Sequence, residues 1–174
     1  RDSVDYLRSA EVVPSSLQPA YFSVAEDLLQ VVKERLEAHP AKQIRLHGDL
    51  HVGNLLWRDD SLYMVDLDDC RMGPAVQDLW MMLSGERDQR QGQLSELIDG
   101  YNEFHDFNPA ELALIEPLRS LRLVHYSAWL ARRWEDPAFP MHFPWFAQER
   151  YWADQILTLR EQRAALDEPA LRLF

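Results

Sequence analysis

Between Arg45 and Trp57 the chain reads RLHGDLHVGNLLW, and VDLDD follows from Val65 to Asp69. Asp49 and Asn54 lie five positions apart, and Asp66 comes twelve positions after Asn54. Each residue type suits one task in phosphoryl transfer. That reaction needs a carboxylate beside the acceptor hydroxyl and oxygen ligands that hold a divalent cation against the phosphates, because positioning and charge neutralisation supply most of the catalysis. Asp49 suits the first task. Asn54 offers a neutral amide oxygen and Asp66 an anionic one, both hard donors appropriate to Mg2+. A different chemistry is open to His47, Asp49 and His51, whose alternation can begin a zinc site and so a metallohydrolase. Zinc enzymes draw further ligands from elsewhere, and the hard-oxygen pair favours magnesium.

These groups need a scaffold. Ile44–Leu46, Leu55–Trp57 and Leu62–Val65 are short apolar segments, and RDDS between the last two reads as a hairpin turn. Upstream, SVAEDLLQVVKERLEAHP predicts a helix with Ser23 and Glu26 as a capping box, apolar residues at helical spacing and a stop at Pro40. Beyond Asp69 the periodicity turns helical. GPAVQDLWMML, LSELIDGYNEF, the run from Pro109 to Trp134 and the run from Trp145 to Leu166 predict helices, with Asn108-Pro109 as a start and Asp136-Pro137 as an end. The expected fold class is therefore α+β and mostly helical, with a small hairpin region carrying a loop at 47–54 and another at 66–69, followed by a helical body over 74–166.

Composition narrows the classes. With 174 residues, 47% of them hydrophobic, the chain can bury a core as one domain or one lobe of something larger. A formal charge of -11 offers no basic stripe for a nucleic acid backbone. One cysteine, Cys70, excludes an internal disulfide, and no charge-free apolar stretch has the length of a membrane span, so a cytoplasmic protein free of membrane contact is expected. By default Cys70 is inert, and Arg132 and Arg133 form a solvated helix face. The tryptophans between Trp129 and Trp152 read as packing, with a substrate groove of Trp134, Trp145 and Trp152 as the alternative.

His47, Gly48, Asp49 and Asn54, followed by a hairpin and Asp66, resemble the H-G-D-x-x-x-x-N … D signature of the aminoglycoside-phosphotransferase-like kinases, relatives of the protein kinases. The likeness extends from about Pro14 through GPAVQDLW, the segment from Leu114 to Pro140, and FPW. It implies the C-terminal lobe of a protein-kinase-like fold, with Asp49 as catalytic base and Asn54 and Asp66 as ligands of the Mg2+ that accompanies ATP. Leu67 and Asp68 stand where protein kinases have Phe and Gly, which makes Asp68 a candidate second metal ligand. His51 takes the place of a lysine and could contact the transferring phosphate, while His47 orients the loop by hydrogen bonding. Asp78, on the following helix, is the expected brace of the loop backbone.

The resemblance also marks what this stretch does not contain. Kinases grip ATP with a glycine-rich strand loop and a strand lysine. The two lysines here, Lys33 and Lys42, fit neither position, and no G-x-G-x-x-G occurs. The expectation is that an ATP-gripping N-terminal lobe lies upstream of Arg1 and is this lobe's partner within a monomer, the 174 residues alone being inactive. The resemblance implies, as the leading function, ATP- and Mg-dependent phosphorylation of serine or threonine hydroxyls on proteins, the kinase itself included, in a bacterial stress response. Phosphorylation of a small amino alcohol, sugar or aminoglycoside shares the same loop chemistry, and an acidic surface can attract cationic metabolites.

Overall fold

The computed structural model describes residues 2–173. Its helices are α1 (Asp2–Ser9), α2 (Gln18–Ala38), α3 (Val76–Trp80), α4 (Arg87–Asn102), α5 (Ile115–Arg132), α6 (Ala138–His142) and α7 (Glu149–Ala165). Four short strands, β1 (Ile44–Leu46), β2 (Leu55–Arg58), β3 (Ser61–Met64) and β4 (Arg71–Gly73), lie between α2 and α3. The class is α+β and mostly helical, as expected.

The chain divides into two compact units, one formed by the residues up to Glu37 with Glu116–Glu168, the other by Ala38–Ile115 and the residues from Pro169 onward. The first unit is all helical. Tyr21, Ala25, Leu28 and Val32 recur at helical spacing along α2 and are buried with Val124, Ala128 and Ala131 of α5 and Trp152, Ile156 and Leu159 of α7. Truncating a fully buried leucine such as Leu28 to alanine would cost ~2–5 kcal/mol. Trp152 is 1% exposed and meets Tyr21 edge to face, so it belongs to this core and lines no groove. Trp134 leans on Phe146, and the Arg132 and Arg133 guanidinium groups lie over the rings of Tyr6 and Trp129. Both arginines remain exposed, as a solvated face requires, with their guanidinium groups stacked on aromatic rings.

Helix α2 begins at Gln18, five residues before the expected cap. Pro14 starts a turn in which Leu17 and Gln18 donate to its carbonyl, and Pro19 then fits the first helical turn, where its missing N–H costs nothing. Ser23 therefore lies inside the helix and caps nothing, and Glu26 pairs with Arg8 of α1. The other starts follow their residues more closely. Asn108 accepts from the Ala110 N–H at 3.1 Å and opens a 3-10 turn, Pro109–Leu114, ahead of α5. Asp136 accepts from the Ala138 N–H at 2.9 Å, so the Asp-Pro pair that ends one helical run also starts α6.

The second unit carries the strands. β1 pairs with β4 antiparallel, Leu46 opposite Arg71, and β2 pairs with β3, Leu55 opposite Met64 and Arg58 opposite Ser61. Asp59 and Asp60 both take positive φ, 51° and 55°, which gives the two-residue primed turn that matches strand twist. Strand β4 has no expected counterpart. Three residues beginning with an arginine carry too little alternation to be seen before their partner is known.

Candidate functional site

Every candidate residue lies within the second unit. β1 ends at Leu46, and its ladder to β4 sets the loop from His47 beside the segment leading into Arg71. Gly48 takes φ +88°, and a Cβ built there would lie 2.2 Å from the Asp69 carbonyl oxygen. Only glycine permits this approach of the two loops. The Arg71 guanidinium donates to the Gly48 carbonyl at 2.8 Å and fixes the same point from the other side.

Asp78 spans the adjacent peptides. Its carboxylate accepts from the His47 N–H at 2.7 Å and from the Gly48 N–H at 2.9 Å. Helix α3, which carries Asp78, is itself anchored by Glu111: that buried carboxylate accepts from the Val76 N–H at 3.1 Å, at the helix N-terminus, where negative charge is favourable. A chain of carboxylates thus runs from the 3-10 turn through α3 to the loop backbone.

The β2–β3 hairpin unites Asn54 with Asp66. Asn54 closes a 3-10 turn, Val52–Asn54, immediately before β2, and the Val65 N–H donates to its carbonyl at 3.0 Å, extending the ladder by one pair. Asp66 follows directly, in the left-handed region at φ 64°, with no hydrogen bond from its side chain to the 3-10 turn Leu67–Asp69 that it precedes. Non-glycine residues held there commonly mark functional sites. His47 ties the two loops again, because its Nε2 lies 2.9 Å from the Val65 carbonyl and must donate to it. That choice of tautomer leaves Nδ1 as a bare acceptor, and it is buried without a partner.

Asp49 is half-buried. Its carbonyl accepts from the His51 N–H at 3.1 Å and from the Asn54 side-chain amide at 3.0 Å. The second contact fixes which way the Asn54 amide faces: the nitrogen is spent on the loop, and Oδ1 is the atom left for a ligand role. The His51 ring is turned inward as well. Nδ1 accepts from the Gly53 N–H at 3.0 Å, and Nε2 faces the Asp49 carboxylate at 3.6 Å. One edge of the ring is thus bonded to its own loop, while the Nε2 edge stays part-exposed beside the Asp49 carboxylate. Asp68 and Asp69 lie exposed on the turn after Asp66.

Among the described residues no three His, Cys, Asp or Glu side chains converge as a metal cluster. The donor set suits magnesium instead: an amide oxygen oriented by its nitrogen's hydrogen bond and an exposed carboxylate without a cap bond, two hard oxygens for a cation that retains several waters.

Arg71 and Glu111 are two site-building residues that spacing did not single out. Arg71 reaches back 23 positions and Glu111 reaches 35, and neither lies in a motif of its own. The nearest sequence signal is for Glu111, an acidic residue soon after Asn108-Pro109, but it indicates the start of its own helix rather than the cap of another.

A catalytic-type loop braced by a helix aspartate, and a hairpin linking it to an acidic turn, define the C-terminal lobe of a protein-kinase-like phosphotransferase fold. A solved spectinomycin phosphotransferase, in complex with ADP and spectinomycin, shares that fold, with a TM-score of 0.55 over 92% of this chain and 56% of its own, at 16% identity. The profile described as APH, phosphotransferase enzyme family, matches residues 3–115, and the chain belongs to that family. Among curated relatives, stress response kinase A of Escherichia coli is 50% identical over 167 residues, which cover 94% of this chain and 49% of the relative. The serine/threonine protein kinase RdoA of Salmonella typhimurium is 50% identical over 164 residues, with the same coverage. The chain spans about half the length of these relatives.

Proposed function

We propose that this chain is the C-terminal lobe of an ATP- and Mg2+-dependent serine/threonine protein kinase acting in a stress response. The observation that carries the reading is the joining of Asp49, Asn54 and Asp66. The Asn54 side chain holds the Asp49 carbonyl, and the ladder from Asn54 to Val65 places Asp66 next in line. Half-identity to curated protein kinases favours a protein acceptor over a metabolite.

In this scheme Asp49 accepts the proton of the acceptor hydroxyl as the hydroxyl oxygen attacks the γ-phosphorus of ATP and the bond from that phosphorus to the bridging oxygen of the departing ADP breaks. Asn54 and Asp66 would hold magnesium, with Asp68 as a further ligand, and a cation there would supply neutralisation of phosphate charge. His47 keeps the two loops in register through Val65, and Asp78 keeps the His47–Gly48 backbone from drifting, because misplacement by about 1 Å costs ~100-fold in rate.

The nucleotide is gripped by a separate N-terminal lobe. This is supported by the β2–β3 hairpin, a two-stranded ribbon that exposes Leu56, Trp57, Leu62, Tyr63 and Met64, Trp57 at 71%. Such a hairpin is marginal alone in water and calls for a covering body. No helix among the described residues is long and apolar enough to cross a membrane.

A second reading, transfer to a small hydroxylated molecule, is kept by the fold shared with the spectinomycin phosphotransferase. The test is to incubate the intact polypeptide, with any chain beyond these residues, with magnesium and labelled ATP beside its Asp49→Asn variant. Label on serine or threonine, absent from the variant, is expected. ATP consumption only on addition of a hydroxylated metabolite would move the assignment to the second reading, and equal transfer by the variant would remove Asp49 from its role.

A further inference from the structure

His51 sits where a direct contact with the transferring phosphate was expected, yet its ring is engaged at both ends within the loop. We infer that His51 is a positioning residue with two separable tasks: Nδ1 caps the turn that carries Asn54, and Nε2–H restrains the Asp49 carboxylate. The inference rests on the proposed role of Asp49.

The tautomer follows from the geometry. The Gly53 N–H donates to Nδ1 at 3.0 Å, so Nδ1 is unprotonated and, in a neutral imidazole, the proton resides on Nε2. Nε2 faces Oδ2 of Asp49 at 3.6 Å, too long for a full hydrogen bond and short enough to bias the carboxylate. The ring also lies close over Gly53: a Cβ there would lie 2.8 Å from Cε1 and 2.9 Å from Nδ1 of His51, so a side chain at position 53 would displace the ring from this placement. The backbone closes the unit, because the His51 carbonyl accepts from the Asn54 N–H at 2.9 Å. One residue therefore faces the proposed base through its side chain and touches the proposed ligand through its backbone, so that it borders the half-buried Asp49 carboxylate on one edge.

Two substitutions separate the tasks. In His51→Asn the shorter amide oxygen can still accept from the Gly53 N–H, as asparagine does at caps, but the side chain at position 51 no longer reaches Asp49. In His51→Gln an amide N–H sits about where Nε2–H was, and the cap is lost. Using the intact polypeptide, kcat, KM for ATP and thermal midpoints are measured for both, with Asp49→Asn in parallel, and the neutral protein labelled with 15N-histidine reports the tautomer. His51→Asn is expected to lose about tenfold or more in kcat, with KM for ATP and the midpoint close to those of the parent. His51→Gln is expected to retain more kcat and melt lower. A wild-type kcat in His51→Asn, equal kcat in the two variants, or an Nδ1–H tautomer at His51 would each overturn the inference. Undiminished transfer by Asp49→Asn would instead strike the functional reading, leaving the nitrogen shifts to decide the placement of the ring.

Discussion

Removing the Asp78 carboxylate tests whether the loop backbone is held from a distance. Asp78 accepts two backbone N–H groups, at 2.7 Å from His47 and 2.9 Å from Gly48, and both residues are buried. Hydrogen bonds to a charged acceptor contribute ~1.5–3 kcal/mol each. Asp78 is itself half-buried, so the lower end applies, and the pair together hold the loop by ~3 kcal/mol. In Asp78→Ala both amides lose their partner, and local opening should become easier by that amount. At ~1.4 kcal/mol per factor of ten, exchange of the His47 and Gly48 amide hydrogens should quicken about a hundredfold. Asp78→Asn should fall between, since one oxygen still accepts while the NH2 group faces an N–H across the other contact. The assay is native-state hydrogen exchange of the intact polypeptide, read at these two amides against those of α4 as a reference. Unchanged exchange at His47 and Gly48 in Asp78→Ala would refute the clamp, and so would an alanine variant no faster than the asparagine one.

Further outcomes follow from other contacts. Gly48→Ala should lower stability by ~3 kcal/mol or more, because a Cβ at φ +88° would lie 2.2 Å from the Asp69 carbonyl oxygen. Gly92→Ala, within α4 and with nothing within 4 Å of its Cβ, should raise stability by ~0.5–1 kcal/mol, and urea titration of both checks the contrast. Burial pushes the Tyr151 hydroxyl up to about 12 from 10.0. The folded state then keeps its proton where the unfolded chain loses it, so stability present below pH 10 should fall by ~2 kcal/mol between pH 10 and 12. Burial raises the Tyr21 hydroxyl also, so a Tyr151→Phe variant should show a shallower decline in denaturant midpoint over that range rather than a flat one. Finally, the 174 residues alone should give no phosphoryl transfer with ATP and magnesium. Robust transfer would refute the separate ATP-gripping lobe.

The sequence by itself determined the local parts of this protein. Asp49, Asn54 and Asp66 could be read together because an Asp-Asp primed turn sets the hairpin register, and register places Asn54 beside Val65 without help from anything distant. The helical body was legible because buried positions such as Leu28 and Val32, or Ile156 and Leu159, repeat at the period of the helix. The start of α2 differs from its local signal for a physical reason: Ser23 and Glu26 have the right spacing for a cap, but a turn begun at Pro14, nine residues before Ser23, has already led the chain into helix. Only the tertiary structure decided the rest. Asp78 is expected as the brace from family resemblance alone, but which two amides it meets, whether Arg71 grips Gly48, and whether Glu111 caps α3 depend on contacts between elements, and no periodicity encodes them. The direction of the His51 ring belongs with these, since its residue type suits a phosphate contact equally well, and it is the space left above Gly53 and the carboxylate of Asp49 that turn it inward.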